Sequence, residues 1–482
     1  MVFSSPIFLF VFLPIILIGY FLIRTKYKNL FLLGASLLFY CWGEPKYVLL
    51  MLVSILLNYI FGILVENNKN KGKLAKKITG LAVVVNLGIL ILYKYANFII
   101  DNLNVVAQSI GFKPIYLEPI DLPIGISFYT FQAMSYVIDV YRRDTVAQRK
   151  LSDHALYISL FPQLVAGPIV RYSDISEQIK NRKTTIEDFE YGIRRFIIGL
   201  GKKVLIANPL GRIADDIFSL SGENLSSSLS WFGLICYSFQ IYYDFSGYSD
   251  MAIGLGRMFG FKFLENFNYP YISKSIKEFW RRWHISLSSW FRDYVYIPLG
   301  GSRSTVFVTY RNLIIVFLLT GIWHGASWNF IVWGLFHGLF LLLERTRFGN
   351  LLDKIWSPIK LVYTLFVVMI GWVFFKSETF GSSVIYLKAM FNLYSNNISN
   401  LYNVSMFINN EILLVLCIAI IGATPIPKKM VNKIEHHINK KKSIVLKIGY
   451  ESLYIASLIA LLLFSVMSLA TSTYNPFIYF RF

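Results

Sequence analysis

Two histidines, each beside a tryptophan, are the residues of this chain whose type and setting best suit chemistry. Trp323-His324-Gly325 lies inside an apolar run, and Arg281-Arg282-Trp283-His284 precedes it by forty residues. An ionisable side chain at membrane depth is costly. Histidine titrates near neutral pH, so its imidazole can accept or donate a proton there. The pair therefore indicates proton-transfer chemistry in an apolar environment.

The composition predicts the elements that position these histidines, because it is that of an all-α polytopic membrane protein. The chain has 482 residues, of which 55% are hydrophobic and 17% aromatic, and its mean hydropathy is +0.54. A net charge of +20 would suggest nucleic acid in a soluble domain. Here the basic residues cluster in short loops between apolar runs, which is the positive-inside pattern. We therefore expect membrane lipid around the chain and no nucleic-acid partner.

The positions of lysine and arginine predict the topology. We expect cytoplasmic loops at 24–28, 69–77, 142–150, 345–347 and 428–447, whereas 219–230 and 392–411 carry no lysine or arginine. This pattern predicts ten to twelve spans, the first at 6–23 and the last at about 447–470, with both chain ends outside. Residues 155–170 are apolar but broken by proline and glycine, which suggests a re-entrant segment. Residues 305–343 are either one bent helix or two spans that turn at 325–327.

The segment 259–304 is predicted to be an amphipathic region on the cytoplasmic side. Apolar residues recur at three- and four-residue spacing over 274–294, which predicts one amphipathic helix with His284 on the same side as Trp280 and Ser288. One interpretation is a surface helix anchored in anionic lipid by tryptophans at interfacial depth. The other is the wall of a cytoplasmic entrance for an anionic donor. The candidate donor-binding residues are Lys274, Lys277, Arg281, Arg282 and Arg292.

The other histidines have simpler interpretations. His154, His436 and His437 adjoin polar or charged sequence and are predicted at the solvated surface, while His337 in an apolar run suits an interhelical hydrogen bond. His324 is either a buried structural histidine or a catalytic one. Small neighbours favour the catalytic role, because they leave room for a substrate beside the ring; these neighbours are Gly321, Gly325, Ala326 and Ser327. Neither a zinc motif nor a serine-hydrolase elbow is present, so we expect no metal and no bound cofactor.

At this point the motifs resemble those of the membrane-bound O-acyltransferase family, and within it the bacterial alginate O-acetyltransferase branch. The principal matches are RRWHISLSSWFRDYVYIPLGG (281–301) and LTGIWHGASWNFIVWG (319–334). Further matches are MVFSSPIFLFVFLP (1–14), LPIGISFYTFQ (122–132), FPQLVAGPI (161–169), YDFSGYSDMAIG (243–254) and FIYFRF (477–482). The resemblance therefore extends along the whole chain, which we expect to form one integral-membrane domain over 1–482.

The resemblance implies a ring of tilted helices around a central tunnel, with funnels from both faces that meet at the histidines. It implies a bacterial inner-membrane enzyme that moves acetyl from a cytoplasmic donor, acetyl-CoA, to an exported polysaccharide through an extracytoplasmic acetyltransferase partner. His324 matches the catalytic histidine of the family and His284 its second histidine. A neutral imidazole at His324 can remove the proton of an attacking hydroxyl, or carry the acyl group itself. His284 can orient the donor or stabilise an oxyanion.

Three other functions stay open at this stage. The family also resembles the D-alanyl transfer protein of teichoic acid modification, which takes its acyl group from a carrier protein. A secondary transporter also carries intramembrane histidines, but it moves substrate without consuming a thioester. A structural subunit of a wall-modifying complex would tolerate the loss of both histidines.

Residues 471–482 form an aromatic tail that the topology places outside the cell. One interpretation is an interfacial anchor, because tyrosine and phenylalanine collect at headgroup depth. The other is an acyl relay through Tyr479, the one residue among the last six with a nucleophilic hydroxyl. Phenolate leaves more readily than an alkoxide because the phenol pKa is about 10, so an aryl ester at Tyr479 would be a reactive carrier.

Overall fold

The computed structural model describes residues 1–303, 305–393, 402–441 and 443–478. These residues form helices and turns, and the described ranges contain no strand. The chain divides into two compact units, one of Met1–Ile193 with Ala252–Leu264 and one of Arg194–Met251 with Glu265–Phe482. The prediction of an all-helical membrane fold is thus confirmed.

The first unit is built from eight helices and parts of two others. Its helices are α1 (Leu13–Leu22), α2 (Lys28–Gly43), α3 (Val48–Asn67), α4 (Gly72–Ser109), α5 (Ile126–Arg142), α6 (Leu151–Ser159), α7 (Phe161–Leu164) and α8 (Tyr172–Asn181), with the first half of α9 (Ile186–Gly201). Two buried asparagines join α3 to α4, because Asn58 and Asn86 exchange side-chain hydrogen bonds of 3.0 and 2.8 Å. Such pairs satisfy polar groups where lipid offers no partner.

The broken apolar segment 155–170 lies inside this unit. Short helices α6 and α7 occupy it, and every residue from 155 to 170 is buried. Irregular backbone at membrane depth requires such burial. His154, predicted at the surface, is instead fully buried and packs 4.6 Å from the Tyr136 ring. That prediction is wrong because it considered the polar neighbours in sequence and not the aromatic residues that cover α6.

The second unit contains both histidines of interest. Its helices are α10 (Asn208–Phe218), α11 (Ser227–Met258, mostly in this unit), α12 (Ile276–Arg282), α13 (Ile285–Phe291), α14 (Val306–His324), α15 (Trp328–Leu343), α16 (Arg347–Lys354), α17 (Ser357–Lys376), α18 (Phe380–Met390), α19 (Asn410–Gly422), α20 (Ile426–Lys441) and α21 (Ile444–Thr471). Single π-helical turns occur at Lys202–Ala207 and Arg292–Tyr296. Of the two arrangements predicted for 305–343, the structure has two helices, α14 and α15.

The amphipathic helix predicted over 274–294 is broken. Helix α12 ends at Arg282, α13 begins at Ile285, and His284 between them has a φ of 43°, in the left-handed region. His284 therefore does not share a helical side with Trp280 and Ser288. Regular spacing of apolar residues cannot reveal such a break, because both short helices keep the same periodicity.

The tryptophans of this segment are buried in protein. Trp280, Trp283 and Trp290 are 9%, 3% and 5% exposed. Their predicted role as interfacial anchors is therefore wrong. Trp280 packs against Phe317 of α14 and Trp333 of α15 at ring distances of 5.2 and 5.6 Å. The apolar face of the segment thus belongs to the core of the second unit and not to a lipid surface.

Several helices are long and apolar enough to cross a membrane. Among the described residues these are α3, α4, α14, α17 and α21, and the pair α19 and α20, bent by 68°, adds a sixth if it forms one span. Two further apolar helical stretches, Phe8–Leu22 and Trp328–Leu343, are shorter. The chain is thus multi-pass, while the count of ten to twelve spans and the sidedness of the loops stay predictions.

Candidate active site

His324 ends helix α14 inside an aromatic cage. Its side chain is 3% exposed, and its ring lies 5.0 Å from Trp323, 4.9 Å from Trp333 and 5.1 Å from Phe375. Trp333 comes from α15 and Phe375 from α17, so three helices fix the imidazole. Edge-to-face packing of this kind holds a ring in one orientation. The cage also limits water near the ring.

The glycines near His324 serve helix packing. A Cβ on Gly321 would overlap the carbonyl oxygen of Phe330, and one on Gly325 would overlap the Phe330 ring. Across the same contact, a Cβ on Gly334 would overlap the carbonyl oxygen of Phe317. The prediction that Gly321 and Gly325 leave room for a substrate is therefore wrong, since α15 already fills that space. Ser327 caps α15 by accepting the Asn329 N–H at 3.3 Å.

His284 is held by a polar side chain. The Asn266 Oδ1 atom accepts hydrogen bonds from the Ser286 backbone N–H at 3.2 Å and from the Ser286 hydroxyl at 2.9 Å, so it is an acceptor. It lies 3.2 Å from His284 Nδ1, which must therefore donate to it. Burial lowers the pKa of the His284 imidazole, so the ring is neutral. This tautomer leaves the lone pair on Nε2.

The structure brings both histidines to one indole ring. The Trp323 ring lies 6.1 Å from the His284 ring and 5.0 Å from the His324 ring. Phe245 of α11 closes the other side of His284 at 4.6 Å. The two imidazoles thus belong to one buried cluster, as their motifs predicted, although they come from separate segments.

A first cavity of about 650 Å³ opens along α12, α13 and α14. Thr320, which lines it, is one helical turn before His324. Three of the five candidate donor-binding residues line this cavity, namely Lys277, Arg281 and Arg292. Arg345 joins them, opposed by Glu278, Glu344 and Asp353. The net basic lining suits an anionic group.

The structure does not bring the other two candidates to this cavity. Arg282 forms a 2.8 Å ion pair with Glu278 and donates to the Asn268 carbonyl, and neither Arg282 nor Lys274 lines the cavity. Arg292, although it lines the cavity, is also paired with Asp293 at 2.6 Å. Lys277 and Arg281 are therefore the stronger donor-side candidates.

A second cavity of about 230 Å³ adjoins the other side of the cage. Phe330 and Phe375, which both contact the His324 ring, line it together with Gln240 of α11 and Lys376 of α17. Neither cavity is lined by His324 itself, but Thr320, one turn before it, lines the first cavity and two residues of its cage line the second. Part of the remaining wall comes from the chain's tail, at Pro476, Phe477 and Ile478.

The tail is packed inside the second unit as far as it is described. Phe477 is 4% exposed and Ile478 is 8% exposed. Phe477 stacks on Tyr248 with ring centroids 4.5 Å apart. An anchor at headgroup depth would present these side chains to lipid, so this part of the tail is not one. Tyr479 itself lies outside the described residues.

Three other histidines stand apart from the site. His436 and His437 are exposed, as predicted. His337 is fully buried between Trp280 and Trp333, each 5.2 Å away, and Gly371 makes room for its Nε2 atom. Neither ring nitrogen of His337 has a hydrogen-bond partner within the described part of the chain, so the predicted interhelical hydrogen bond is not found there. The described residues also contain no group of three or more side chains that could hold a metal ion.

Sequence reasoning missed four residues of this region. Asn266, which orients His284, is eighteen residues away in sequence and carried no spacing signal. Arg345 was noted only as a loop charge. Lys203 and Asp244 form a buried ion pair of 2.6 Å. Asp244 could have been found, because a carboxylate within an apolar helix requires a partner.

Two buried histidines share one aromatic cluster in a multi-pass helical protein, a setting that suits proton transfer. The chain matches the model of the membrane-bound O-acyltransferase family over residues 150–375. It is 43% identical to the probable alginate O-acetylase of Azotobacter vinelandii over 100% of both chains, and 36% identical to the peptidoglycan O-acetyltransferase of Helicobacter pylori over 100% of this chain and 98% of that protein. It is 32% identical to the teichoic acid D-alanyltransferase of Bacillus subtilis over 53% of this chain and 69% of that one.

The chain therefore belongs to the membrane-bound O-acyltransferase family and is a multi-pass membrane O-acyltransferase. The resemblance drawn from its histidine motifs is confirmed. The similarity to the alginate and peptidoglycan relatives covers 100% of this chain, whereas the similarity to the D-alanyltransferase covers 53% of it.

Asn266→Ala tests the orientation of His284. The variant removes the acceptor of the His284 Nδ1–H, so we expect the rate of acyl transfer to fall by about tenfold or more while the apparent KM for the donor changes little. Thioester consumption by purified enzyme measures both quantities. The matched control is Asn268→Ala, an exposed asparagine of the same segment, which should behave as wild type.

His284→Asn is the companion variant, because asparagine tolerates the left-handed backbone at this position better than alanine does. It should fold and lose activity. Equal rates in Asn266→Ala and Asn268→Ala would contradict the orienting role.

Proposed function

We propose that this protein is a bacterial inner-membrane O-acetyltransferase that moves acetyl from cytoplasmic acetyl-CoA towards an exported polysaccharide. The observation that carries the proposal is the surroundings of His324: Thr320, one turn before it, lines the first cavity, and Phe330 and Phe375 of its cage line the second. The full-length similarity to the alginate and peptidoglycan relatives supports acetyl as the group and a glycan as the final acceptor.

The first cavity suits the donor. Acetyl-CoA is an anionic thioester, and Lys277, Arg281 and Arg345 offer it cationic groups at the cavity wall. Its phosphates would stay among these side chains, and the acetyl end would extend past Thr320 towards His324. Glu344 shapes this cavity by accepting the Ile276 and Lys277 backbone N–H groups at 2.6 and 3.0 Å, which fixes the start of α12.

The reaction at His324 is acyl transfer to a hydroxyl. The imidazole takes the proton from the attacking hydroxyl, whose oxygen bonds to the thioester carbonyl carbon. The carbon–sulfur bond then breaks, and the leaving thiolate takes the proton back from the imidazole to become free CoA thiol. His284 stands across Trp323 and orients the donor or stabilises the oxyanion. A transient acetyl-His324 would be formed by the same geometry with the imidazole as nucleophile.

The tail is proposed to be the first acceptor. The phenol of Tyr479 would receive the acetyl group as an aryl ester and give it to an extracytoplasmic acetyltransferase partner, which completes polysaccharide O-acetylation. Support comes from Pro476, Phe477 and Ile478, which line the second cavity beside the two phenylalanines that contact His324. An aryl ester suits a relay because phenolate is a good leaving group, given a phenol pKa of about 10.

His324→Ala tests the catalytic base. Loss of a general base reduces the rate by roughly 10²–10⁴-fold, so base-labile acetyl ester on envelope and exported polysaccharide should fall to background. Membrane content of the protein should stay at the wild-type level, because the change removes one ring from a cage that α15 and α17 still form. His436→Ala, at an exposed histidine, is the matched control. Wild-type acetylation in His324→Ala would refute the assignment and favour a structural subunit.

The donor cavity is tested by the double change Lys277→Gln and Arg281→Gln. The apparent KM for acetyl-CoA should rise by about three- to tenfold at low ionic strength, and the effect should shrink as salt is added. Lys274→Gln is the control, because Lys274 is exposed and lies outside the cavity lining. The same KM change in the control would contradict a specific donor cavity.

The same assay separates the alternatives. Activity with an acylated carrier protein but none with acetyl-CoA would favour D-alanyl-type transfer. Vectorial flux without thioester consumption would favour a transporter.

Tyr479→Phe tests the relay, since it keeps the ring and removes only the hydroxyl. Polysaccharide acetylation should be lost while acetyl-CoA binding survives, and mass spectrometry should find acetyl on the tail of the wild type alone. Tyr116→Phe is the control, because Tyr116 is an exposed tyrosine outside the tail. Full acetylation in Tyr479→Phe would reject the relay.

A further inference from the structure

A buried ion pair in the second unit is not used by the chemistry described above. Lys203 Nζ and Asp244 Oδ1 are 2.6 Å apart, and the two side chains are 3% and 2% exposed. Lys203 lies in the π-helical turn Lys202–Ala207, and Asp244 lies within α11. Removing two charges from water is costly unless their remaining hydrogen-bonding atoms are satisfied. The pair therefore requires additional polar partners.

The tail supplies those partners. Lys203 Nζ donates to the carbonyl oxygen of Pro476, and Asp244 Oδ2 accepts the backbone N–H of Ile478 at 2.8 Å. Lys203 thus binds a hydrogen-bond acceptor of the tail, at residue 476, and Asp244 binds a donor of the tail, at residue 478. Both contacts are to main-chain atoms, so the pair recognises an extended segment and not particular side chains.

Neighbouring side chains bind the tail on the side of α21. Asn208 Nδ2 lies 3.4 Å from the Tyr474 carbonyl oxygen and 3.3 Å from Asn475 Oδ1. Tyr474 donates to Asp215, which is also paired with Lys376. Together with the stacking of Phe477 on Tyr248, these contacts bind every residue from Tyr474 to Ile478. The two contacts at the buried ion pair and the one from Tyr474 to Asp215 are charge-assisted, which makes them stronger than neutral hydrogen bonds.

We propose that Lys203 and Asp244 form a clamp that holds the tail against the wall of the second cavity, and that they are positioning residues for acyl transfer to the tail. The inference rests on the proposed relay, since Ile478 is the residue bonded to Tyr479. Release of the tail would remove the Pro476 carbonyl from Lys203 and the Ile478 N–H from Asp244 while both charges stay buried. Binding of the tail and burial of the ion pair therefore stabilise each other. The clamp acts through Ile478 and does not itself contact the acetyl group.

Thiol labelling tests the clamp without reference to activity. The three native cysteines, Cys41, Cys236 and Cys417, are first replaced by serine or alanine in the full chain. Ile478→Cys then adds a single reporter thiol, and the rate at which this thiol reacts with a maleimide is measured. Lys203→Met should accelerate labelling by about tenfold or more, because reaction follows the equilibrium between bound and released tail. Lys203→Arg, which keeps the charge and the donors, should restore protection. Unchanged protection in Lys203→Met would overturn the clamp.

Two variants control for a general loss of structure as the cause of faster labelling. The double variant Lys203→Met with Asp244→Leu removes both charges, so no unpaired charge stays in the core. This protein should therefore fold and still release the tail. Glu451→Gln is the matched control, because it breaks the more exposed Arg194–Glu451 pair of 3.2 Å in the same unit. Faster labelling in Glu451→Gln as well would show that any lost ion pair loosens the tail, and would contradict a specific clamp.

Enzyme kinetics then separate the clamp from the relay. In the double variant the rate of polysaccharide acetylation should fall by about tenfold or more while the KM for acetyl-CoA stays at the wild-type value, since the donor cavity is untouched. A released tail with full acetylation would overturn the positioning role. If the clamp variants release the tail and Tyr479→Phe is fully active, the relay fails and the clamp remains as a device that closes the second cavity. If Tyr479→Phe is inactive and the clamp variants keep a protected tail, the clamp fails and the relay remains.

Discussion

The close contact between α14 and α15 is the constraint on which the site depends. At Gly321 and at Gly334, a backbone carbonyl of the facing helix lies so close that the Cβ atom of any side chain would overlap it. Helices in lipid associate through such small residues, because packing replaces the hydrophobic effect as the driving force. The contact sets the position of Phe330 against Gly325, and of Trp333 against the His324 ring. The end of α14 is thereby fixed from outside the helix, and the His324 ring at that end is fixed with it.

The two histidines are held by opposite means. His324 is confined by ring edges and faces of Trp323, Trp333 and Phe375, so its orientation follows from shape. His284 is held by a hydrogen bond to Asn266, so its tautomer follows from polarity. A ring held by an acceptor keeps one tautomer, which suits a group that orients or donates. The hydrogen bond to Asn266 thus suits His284 for the orienting role that we propose for it.

The sequence was sufficient for the fold class, the membrane setting and the pairing of the two histidines, because hydropathy and motif are local properties. It failed where tertiary structure overrides a local pattern. One amphipathic periodicity spans α12 and α13, yet the backbone turns left-handed at His284. Tryptophans that resemble interfacial anchors are buried in protein. The space beside Gly321 and Gly325, which resembles room for a substrate, is occupied by Phe330. Asn266 and the tail contacts of Lys203 are long-range in sequence, so neither composition nor spacing carries a signal for them.

The backbone contacts of the tail have a consequence for interference with this enzyme. The tail is a tethered ligand: α21 ends at Thr471, and the first clamped residue, Pro476, follows five residues later. A flexible connection this short gives its end a local concentration in the millimolar range, on the order of 10⁻³ M or above. A free peptide of the same sequence would compete against that concentration and would bind weakly even with every contact reproduced.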